Sequence, residues 1–446
     1  MAAAPKKTAV KAAPKKPAAP RATSGKPQVW LAAGLRTPFA KVDGPLGGYD
    51  AISMSVPVVQ AMAAQLKGGQ PDFAVWGTVI PSLTFSNIAR EVLIDSGVGP
   101  TIPAYSTVMA CSTSMMGAFQ AAGMIDGGAR NLALVGGVEA MSHVQIGLTQ
   151  GLSDWIRKFQ GAKTTGAKIA HLKTLNPANL KLWIPKVVNR TTGMSMGEHT
   201  EITAKDWSLT REEQDVIALA SHVNAVAAWD RGFFDSLVAP LGGVKKDTIP
   251  RKDTSLEKLA KLPPAFDRTS GKGTLTAGNS SPLTDGAAAI WVASEEGLKR
   301  LPADTPRVKL VDFEIASVDL KTEGLLMAPA YAIPKLLARH GLKYADIDLW
   351  EIHEAFAAQV AAHIKALEDK TFLKSKVGLA HTFGPFPKDR VNPNGGSLAL
   401  GHPFGATGAR ILSQAVKELA SRSKGSRAIV SICADGGQGT VALLEN

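Results

Sequence analysis

Short apolar runs alternate along this chain with longer stretches in which apolar residues recur at helical spacing. The clearest helical pattern extends from Thr210 to Trp229, where Thr210 and Glu213 form a capping box. Its apolar residues that fall on one face are Val216, Ile217, Ala220 and Val223. Six runs have the length and composition of buried strands: 28–33, 72–80, 131–137, 307–318, 346–352 and 426–433. Strands that alternate with helices predict an α/β fold whose largely parallel sheets are covered by helices.

Two parts of this pattern are alike in plan. In each, a buried strand ends at a cysteine or a glycine pair, and a helix is built from small residues, which indicates an internal duplication. Residues 150–272 are long, basic and irregular, as expected of an inserted loop domain. The predicted organisation is a basic tail at 1–27, a first half made of 28–149 and 273–302, the inserted domain, and a second half at 303–446.

The net charge of +12 is concentrated in two segments. Residues 1–27 contain seven basic residues, no acid and repeated prolines, so we expect a disordered tail. An electrostatic tether to acidic surfaces or nucleic acid is the alternative for this tail. Residues 151–190 contain eight basic residues against one acid. The rest of the chain is close to neutral, so we do not expect nucleic acid to be a partner of the core.

The apolar content of 45% is ordinary for a soluble protein, and no apolar run reaches the roughly 18 residues of a membrane-spanning helix. The N-terminus has no apolar central run of a secretory signal, and its lysines and prolines do not suit an amphipathic transit peptide. We therefore expect a cytoplasmic protein, with a mitochondrial location as the weaker alternative.

The chain contains only two cysteines, Cys111 and Cys433. A reducing compartment favours free thiols over a disulfide. Neither cysteine has a second cysteine or a histidine at the spacing of zinc ligands, so no metal site is expected. Cys111 precedes small residues that predict a turn into a buried helix, whose N-terminus would favour the thiolate. The alternative for Cys111 is a small buried core residue.

Three further segments contain residues suited to chemistry. A strand is predicted to end at His353, with Glu354 in the first turn of the next helix; a capping role for this pair is the alternative. His402 lies in a glycine-rich loop that could also cradle a phosphate, although no P-loop lysine follows. Cys433 leads into a glycine turn whose N–H groups could bind an oxyanion. Two thiols, two histidines and free N–H donors suit thioester chemistry.

Five blocks in this order resemble the thiolase family over residues 28–446. They are the segment around Cys111 with GGVEAMS (136–142), GMSMGEHTE (193–201), GTLTAGNSSPLTDGAAA (273–289), HEAF (353–356), and GHP (401–403) with the Cys433 segment. The resemblance implies a thiolase-like duplicated five-layer α-β-α-β-α sandwich with a loop domain inserted in the first half. It also implies acyl-CoA substrates, coenzyme A as co-substrate without a permanently bound cofactor, and a homodimer or dimer of dimers.

The same resemblance implies a role for each matching residue. Cys111 would be the nucleophile, His402 would take its proton and line an oxyanion hole, and Cys433 would move a proton at the α-carbon of the acetyl unit. The backbone N–H groups of Cys111 and of Asp435–Gly436 would form a second oxyanion hole. The positions that match coenzyme-contacting residues are Met196, Arg251, Ser281 and Phe356.

Two residues depart from the usual pattern. Most thiolases have Asn at the position of His353, where it holds a water in the first oxyanion hole; the resemblance implies that His353 donates there directly or through water, depending on its tautomer. Histidine at this position resembles the thiolase subunit of fatty-acid-oxidation trifunctional complexes, which implies a hydratase/dehydrogenase partner subunit. Asp435 stands where many members have glycine, and its carboxylate would be unfavourable beside an oxyanion hole unless turned away or paired. Residues 151–190 mix basic and apolar side chains, which favours docking on an anionic membrane or a partner subunit. The alternative is a loop that covers the active site and attracts CoA phosphates.

We therefore expect a degradative 3-ketoacyl-CoA thiolase of fatty acid β-oxidation. An acetoacetyl-CoA thiolase is the close alternative. A decarboxylating ketosynthase is disfavoured because that chemistry needs no second thiol such as Cys433. A non-catalytic scaffold subunit of a β-oxidation complex is the alternative of another class.

Overall fold

The computed structural model of the protein describes residues 27–446, and the prediction of a disordered tail falls, apart from Pro27, outside these residues. The strands are β1 (Trp30–Ala32), β2 (Ala40–Lys41), β3 (Phe73–Gly77), β4 (Ala104–Ser106), β5 (Leu132–Glu139), β6 (Gly147–Leu148), β7 (Leu182–Trp183), β8 (Thr284–Ala293), β9 (Arg307–Ser317), β10 (Leu349–Ile352), β11 (Arg427–Ala434) and β12 (Gln438–Glu445).

The helices are α1 (Ala51–Ala63), α2 (Ile88–Asp95), α3 (Thr113–Asp126), α4 (Gln150–Gly161), α5 (Thr165–Leu172), α6 (Met196–Asp206), α7 (Arg211–Asp230), α8 (Leu256–Ala260), α9 (Glu295–Leu298), α10 (Ala328–His340), α11 (Ala357–Glu368), α12 (Lys370–Phe372), α13 (Ser397–Leu400) and α14 (Thr407–Ala420). None of these helices is long and apolar enough to cross a membrane.

The sheet topology repeats. In the first half the strand order is β3-β5-β8-β1, and in the second half it is β10-β11-β12-β9. In both, the first two strands are parallel and the remaining neighbours are antiparallel, so the prediction of largely parallel sheets is wrong. β1 also pairs with β9, which joins the two halves into one continuous sheet. The matching order agrees with the internal duplication predicted from the sequence.

The helices form three layers against this sheet. α3 and α14 pack on each other, α3 lies on strands of the first half, and α14 contacts strands of both halves, so these two helices form the middle layer. α1 and α2 cover the outer face of the first half, while α10 and α11 cover the outer face of the second. The result is the five-layer arrangement expected from the resemblance. Gly408 lets the two central helices approach, since a Cβ atom there would lie 2.2 Å from the backbone nitrogen of Met115.

All six predicted strands are present, with ends shifted by a few residues. β8 and β12 were not predicted, because their many small residues weaken the β-branched signal on which strand prediction depends. The capping box of α7 is present, but the predicted apolar face is wrong. Val216 and Val223 are exposed, and α7 instead buries a face that includes Ala218 and Ala225, because small residues allow close helix packing.

Candidate active site

Cys111 lies in a single 3₁₀ turn, Ala110–Ser112, that directly precedes α3. Ala110 has a φ of 44°, in the left-handed region that non-glycine residues rarely adopt. The turn is held to the second half of the molecule, because the hydroxyls of Ser112 and Thr440 are 2.9 Å apart. A strained turn held from both halves fixes the position of the half-buried thiol.

The electrostatics of Cys111 correct one expectation. Burial, followed by the negative charge of Asp435, raises the pKa of the Cys111 thiol to about 12. Hydrogen bonds from the backbone N–H groups of Asp435 and Cys111 itself act in the opposite direction but are weaker. The predicted thiolate is therefore not the resting form, because desolvation outweighs the helix N-terminus. A neighbouring base has to remove the proton during reaction.

His402 follows Gly401, whose φ of 97° favours glycine. The His402 backbone N–H donates to the Thr284 hydroxyl at 3.1 Å, and its Nδ1 lies 2.6 Å from the Thr407 hydroxyl at the start of α14. Both contacts hold the ring in a buried site, and within the described part of the chain Nε2 has no hydrogen-bond partner.

His353 follows the last residue of β10, as predicted. Its Nδ1 lies 2.8 Å from the Ser397 hydroxyl. Arg410 Nη2 donates a 2.6 Å hydrogen bond to the same hydroxyl. Glu354 does not lie in the first helical turn, because α11 begins at Ala357. The Glu354 carboxylate instead accepts hydrogen bonds from three donors, which are the Ser221 hydroxyl, the Asn392 amide and the Leu398 N–H.

The fold brings Cys111, His353 and His402 together from three separate segments. The Cys111 sulfur and one nitrogen of each ring lie within 4.8 Å of one another. The two ring centroids are 4.2 Å apart at an interplanar angle of 54°. Both Nε2 atoms are buried without a hydrogen-bond partner among residues 27–446, while both Nδ1 atoms are engaged. Three such side chains could also hold a metal ion. The sequence analysis could not find this group, because its members are far apart along the chain.

Both histidines are neutral at physiological pH. Burial and then the positive Arg410 lower the pKa of His402 to about 3. Burial, His402 and Arg410 lower the pKa of His353 well below its usual value. A neutral imidazole has one nitrogen that accepts and one that donates, so each ring can be a base or a hydrogen-bond donor, but not an imidazolium at rest.

Cys433 lies near the end of β11, opposite Gly439 of β12. Burial, and then the charge on a Cys111 thiolate, raise the pKa of the Cys433 thiol well above its usual value. The hydroxyl of Ser112, next to Cys111, lies 3.4 Å from the carbonyl oxygen of Ile432, next to Cys433, so the fold brings together two segments that are far apart in the sequence. Both cysteines are free, as predicted.

Asp435 is paired rather than isolated. The Asn189 side-chain amide donates to Asp435 Oδ1 at 2.8 Å, and the Gly436 N–H donates to the same oxygen at 2.7 Å. Asn189 belongs to the inserted segment, which therefore contributes to the site. The Gly436 N–H is thus engaged with this carboxylate, whereas the Cys111 and Asp435 N–H groups point at the Cys111 sulfur, where a second oxyanion hole is predicted.

The four residues predicted to contact the coenzyme occupy different settings. Met196 is the first residue of α6 and Phe356 the residue before α11, with the Phe356 ring edge-to-face on Phe266 at 5.8 Å. Ser281 donates its backbone N–H to Ala355 at 3.0 Å, beside Phe356. Arg251 is exposed. Ser281 and Phe356 thus lie close together, and their role toward the coenzyme stays a prediction.

Sequence reasoning missed the residues that hold the site. Both Glu139 oxygens accept two hydrogen bonds each: from Thr78, Val79, Ile80 and Gly405, at 2.9 to 3.1 Å. This carboxylate ties the loop after β3 to the loop before α14. Glu139 is part of the GGVEAMS block, and Ser397 and Thr407 flank the GHP block. The sequence shows that these hydroxyl and carboxylate groups are present, but not which atoms they contact.

Two sequence family models match the chain: the thiolase N-terminal domain over residues 29–296 and the thiolase C-terminal domain over residues 304–446. The chain belongs to the thiolase family. A 3-ketoacyl-CoA thiolase of Photobacterium profundum is 37% identical over 426 residues, which cover 94% of this chain and 97% of that protein. A 3-ketoacyl-CoA thiolase of Yersinia enterocolitica is 35% identical over 427 residues, covering 94% and 97%.

Solved thiolase structures share the fold. The Acat5 thiolase of Ascaris suum in complex with coenzyme A is 27% identical with a TM-score of 0.75, and the match covers 94% of this chain and all of that one. Human mitochondrial 3-ketoacyl-CoA thiolase is 27% identical with a TM-score of 0.76, covering 94% and 99%. The acetyl-CoA acetyltransferase of Syntrophomonas wolfei is 30% identical with a TM-score of 0.77, covering 94% and 99%.

Proposed function

We propose that the chain is a 3-ketoacyl-CoA thiolase, an acyltransferase that uses coenzyme A to cleave 3-ketoacyl-CoA into acetyl-CoA and a shortened acyl-CoA. The observation that carries this proposal is the convergence of Cys111, His353 and His402 beside a second thiol, Cys433. The names of the relatives at 35% to 37% identity support the same reaction.

In the first half-reaction, His402 Nε2 takes the proton of Cys111, and the sulfur attacks the C3 carbonyl of the substrate. The C3 oxygen becomes negative, and the site offers buried N–H donors that stabilise such charge. The C2–C3 bond then breaks, its electron pair passes to the acetyl-CoA unit, and Cys433 gives that carbon its proton. Acetyl-CoA leaves, and the acyl group remains on Cys111 as a thioester.

In the second half-reaction, the thiol of free coenzyme A gives its proton to the Cys433 thiolate and attacks the acyl-enzyme. The shortened acyl-CoA leaves, and the Cys111 sulfur recovers a proton from His402. The raised pKa of Cys433 suits this role, because a weak thiol acid is a strong base once deprotonated. In this scheme Met196, Arg251, Ser281 and Phe356 bind the coenzyme, which is consumed as a co-substrate.

An acetoacetyl-CoA thiolase is the second candidate, favoured by the acetyl-CoA acetyltransferase of Syntrophomonas wolfei among the structural neighbours. The deciding experiment measures coenzyme-A-dependent cleavage of 3-ketoacyl-CoA esters of increasing chain length, beginning with acetoacetyl-CoA. Cleavage of the longer esters supports the first proposal. Activity confined to acetoacetyl-CoA reverses the ranking, and no cleavage of any ester contradicts both.

We also propose a place for the enzyme: fatty acid β-oxidation in the cytoplasm, as a homodimer or dimer of dimers with a hydratase/dehydrogenase subunit. The segment 151–190 supports an additional contact with an anionic membrane surface. Its aromatic residues Trp155 and Phe159 stack within the α4–α5 hairpin at 5.5 Å. The exposed apolar side chains of the segment are Ile169, Leu172, Leu180, Leu182, Trp183, Ile184 and Val187.

These apolar side chains are accompanied by exposed lysines, a combination that binds anionic lipid. Changing Lys163, Lys168 and Lys173 to Glu should abolish co-sedimentation with anionic liposomes while thiolysis continues. Unchanged sedimentation would contradict the membrane proposal. Loss of binding to a hydratase/dehydrogenase subunit instead would assign the segment to that partner.

A further inference from the structure

His353 and His402 are both held through Nδ1 by a hydroxyl, but the two hydroxyls have different further partners. The Thr407 hydroxyl donates its only proton to the Pro403 carbonyl at 2.9 Å. Toward His402 Nδ1, 2.6 Å away, it can therefore only accept. In this arrangement His402 carries its proton on Nδ1, and its Nε2 presents the lone pair that the proposed base requires.

The Ser397 hydroxyl is in the opposite situation. Arg410 can only donate, so Ser397 accepts at 2.6 Å and keeps its own proton available. Its other side-chain partner among the described residues is His353 Nδ1, at 2.8 Å. If Ser397 accepted from both, its buried O–H would be left without an acceptor, which is unfavourable. The proton of Ser397 therefore goes to His353 Nδ1, and the His353 proton sits on Nε2.

Arg410 remains a donor at physiological pH although it is buried. Burial lowers the pKa of its guanidinium to about 10, with Glu351 opposing the shift. Ser397 and Arg410 are 0% and 2% exposed, so water does not compete for these hydrogen bonds. Because Arg410 cannot accept a hydrogen bond, it fixes the direction of the Arg410–Ser397–His353 chain of hydrogen bonds.

We propose that Ser397 and Arg410 are positioning residues that hold His353 in the Nε2–H tautomer, so that it donates to the negative acyl oxygen, while Thr407 holds His402 in the opposite tautomer as the base for Cys111. This assignment rests on the proposed function and extends it to the fine structure of the site. It also bears on metal binding. In this tautomer His353 has no free lone pair at Nε2, so the Cys111, His353 and His402 set is a poor zinc site despite its compactness.

Substitutions of Ser397 separate this role from simple packing. Ser397→Asp places a carboxylate that accepts from both Arg410 and His353, which forces the proton onto Nδ1. We expect kcat to fall by about 10²–10³, the cost of one oxyanion donor. We expect zinc chloride to inhibit this variant about 10–100 times more tightly, because a carboxylate behind a histidine favours metal binding through the other nitrogen. Ser397→Thr keeps the hydroxyl and should retain most activity and weak zinc inhibition.

A matched control is Ser55→Ala, which removes another fully buried hydroxyl that bonds Trp76 Nε1 at 3.1 Å in an outer layer. Its kcat and zinc response should remain those of the unchanged protein. Equal loss of kcat in the Ser397→Asp and Ser397→Thr variants, with no change in zinc inhibition, would overturn the proposal.

The tautomers can also be read directly and without turnover. Nitrogen-15 spectra of the histidine-labelled protein should show His353 protonated at Nε2 and His402 at Nδ1, with His353 assigned from the His353→Asn variant. A His353 proton on Nδ1 would overturn the assignment even if Ser397→Asp fails to fold. Correct tautomers together with no cleavage of any 3-ketoacyl-CoA would instead reject the proposed function and leave the hydrogen-bond assignment standing.

Discussion

The two halves of the molecule place different chemistry on the same framework. In each half, a three-residue 3₁₀ turn directly precedes a 14-residue central helix that begins with threonine: Ala110–Ser112 before α3, and Phe404–Ala406 before α14. The first turn contains Cys111, and the loop of the second contains His402. Because α3 and α14 pack on each other, equivalent positions in the duplication become neighbours in one site.

The strands next to these helices differ more. In the second half, β11 passes through the short turn 435–437 into β12, and Cys433 lies beside that turn. In the first half, the matching β5 ends at Glu139, and residues 140–283 intervene before β8. One half therefore uses this strand end for a second thiol, and the other uses it to insert a segment that returns Asn189 to the site.

The duplication therefore accounts for the framework that the two halves share, and the residues at the strand ends account for the chemistry in which they differ. Strand order and the central helices carry the core, so changes there would cost packing. Loops at the carboxyl ends of strands carry little of the core and can differ between the halves. Substitutions that test this difference are expected to have their largest effect at Cys111, followed by Cys433, Glu139 and Asp435.

Replacing the thiol of the first half should be the most damaging change. Cys111→Ser keeps the shape but gives a hydroxyl that is a poorer nucleophile and a poorer leaving group than a thiol. We expect thiolysis to fall by at least about 10⁴-fold, in the range for loss of a nucleophile. Mass spectrometry after mixing with acetyl-CoA should show no acyl-enzyme. An acylated Cys111→Ser protein, modified at Cys433, would invert the assignment of the two thiols.

Replacing the thiol of the second half should separate the two chemical steps. Cys433→Ala removes the acid/base but leaves Cys111, His353 and His402 in place. Acylation by acetyl-CoA should continue, while condensation to acetoacetyl-CoA should fall by about 10²–10⁴-fold, the usual contribution of a general acid or base. Rapid-mix acylation and steady-state condensation measure the two steps. Loss of both steps together would contradict the division of labour between the halves.

The link between the halves at Glu139 should mainly affect stability. Glu139→Gln turns one of two accepting oxygens into an amide that faces N–H donors. We expect a loss of about 1.5–3 kcal/mol in the free energy of unfolding, measured by urea denaturation. Glu296→Gln is the matched control, since Glu296 forms an exposed ion pair with Lys299 and its loss should cost about 1 kcal/mol or less. Equal losses of unfolding free energy in the two variants would show that the four buried hydrogen bonds do not stabilise the contact between the halves.

The smallest effect concerns the charge beside the nucleophile. With a Cys111 pKa of about 12, the thiolate fraction and the rate of iodoacetamide alkylation should rise tenfold per pH unit across the neutral range. Asp435→Asn removes the charge that raises this pKa but keeps an oxygen for Asn189 and Gly436. Alkylation at a fixed pH should then become faster, by up to about tenfold. A plateau near neutral pH in the unchanged protein would contradict the raised pKa.

Six of the twelve strands that the structure describes, the two free thiols and the family blocks could be predicted from the sequence, because periodicity and motif spacing are local properties. β8 and β12 were missed because their small residues give little local signal. The apolar face of α7 was misjudged because the packing of α7 favoured alanine and serine over valine at the contact.

Only the tertiary structure decided the state of the site. Helix-end reasoning favoured a Cys111 thiolate, but burial raises its pKa, and burial is a property of the whole fold. The Asn189–Asp435 pair, the four donors to Glu139 and the Arg410–Ser397–His353 chain all join segments that are distant in sequence. The sequence by itself determined which chemical groups are present; the packing of the two halves decided which are neutral, which donate and which accept.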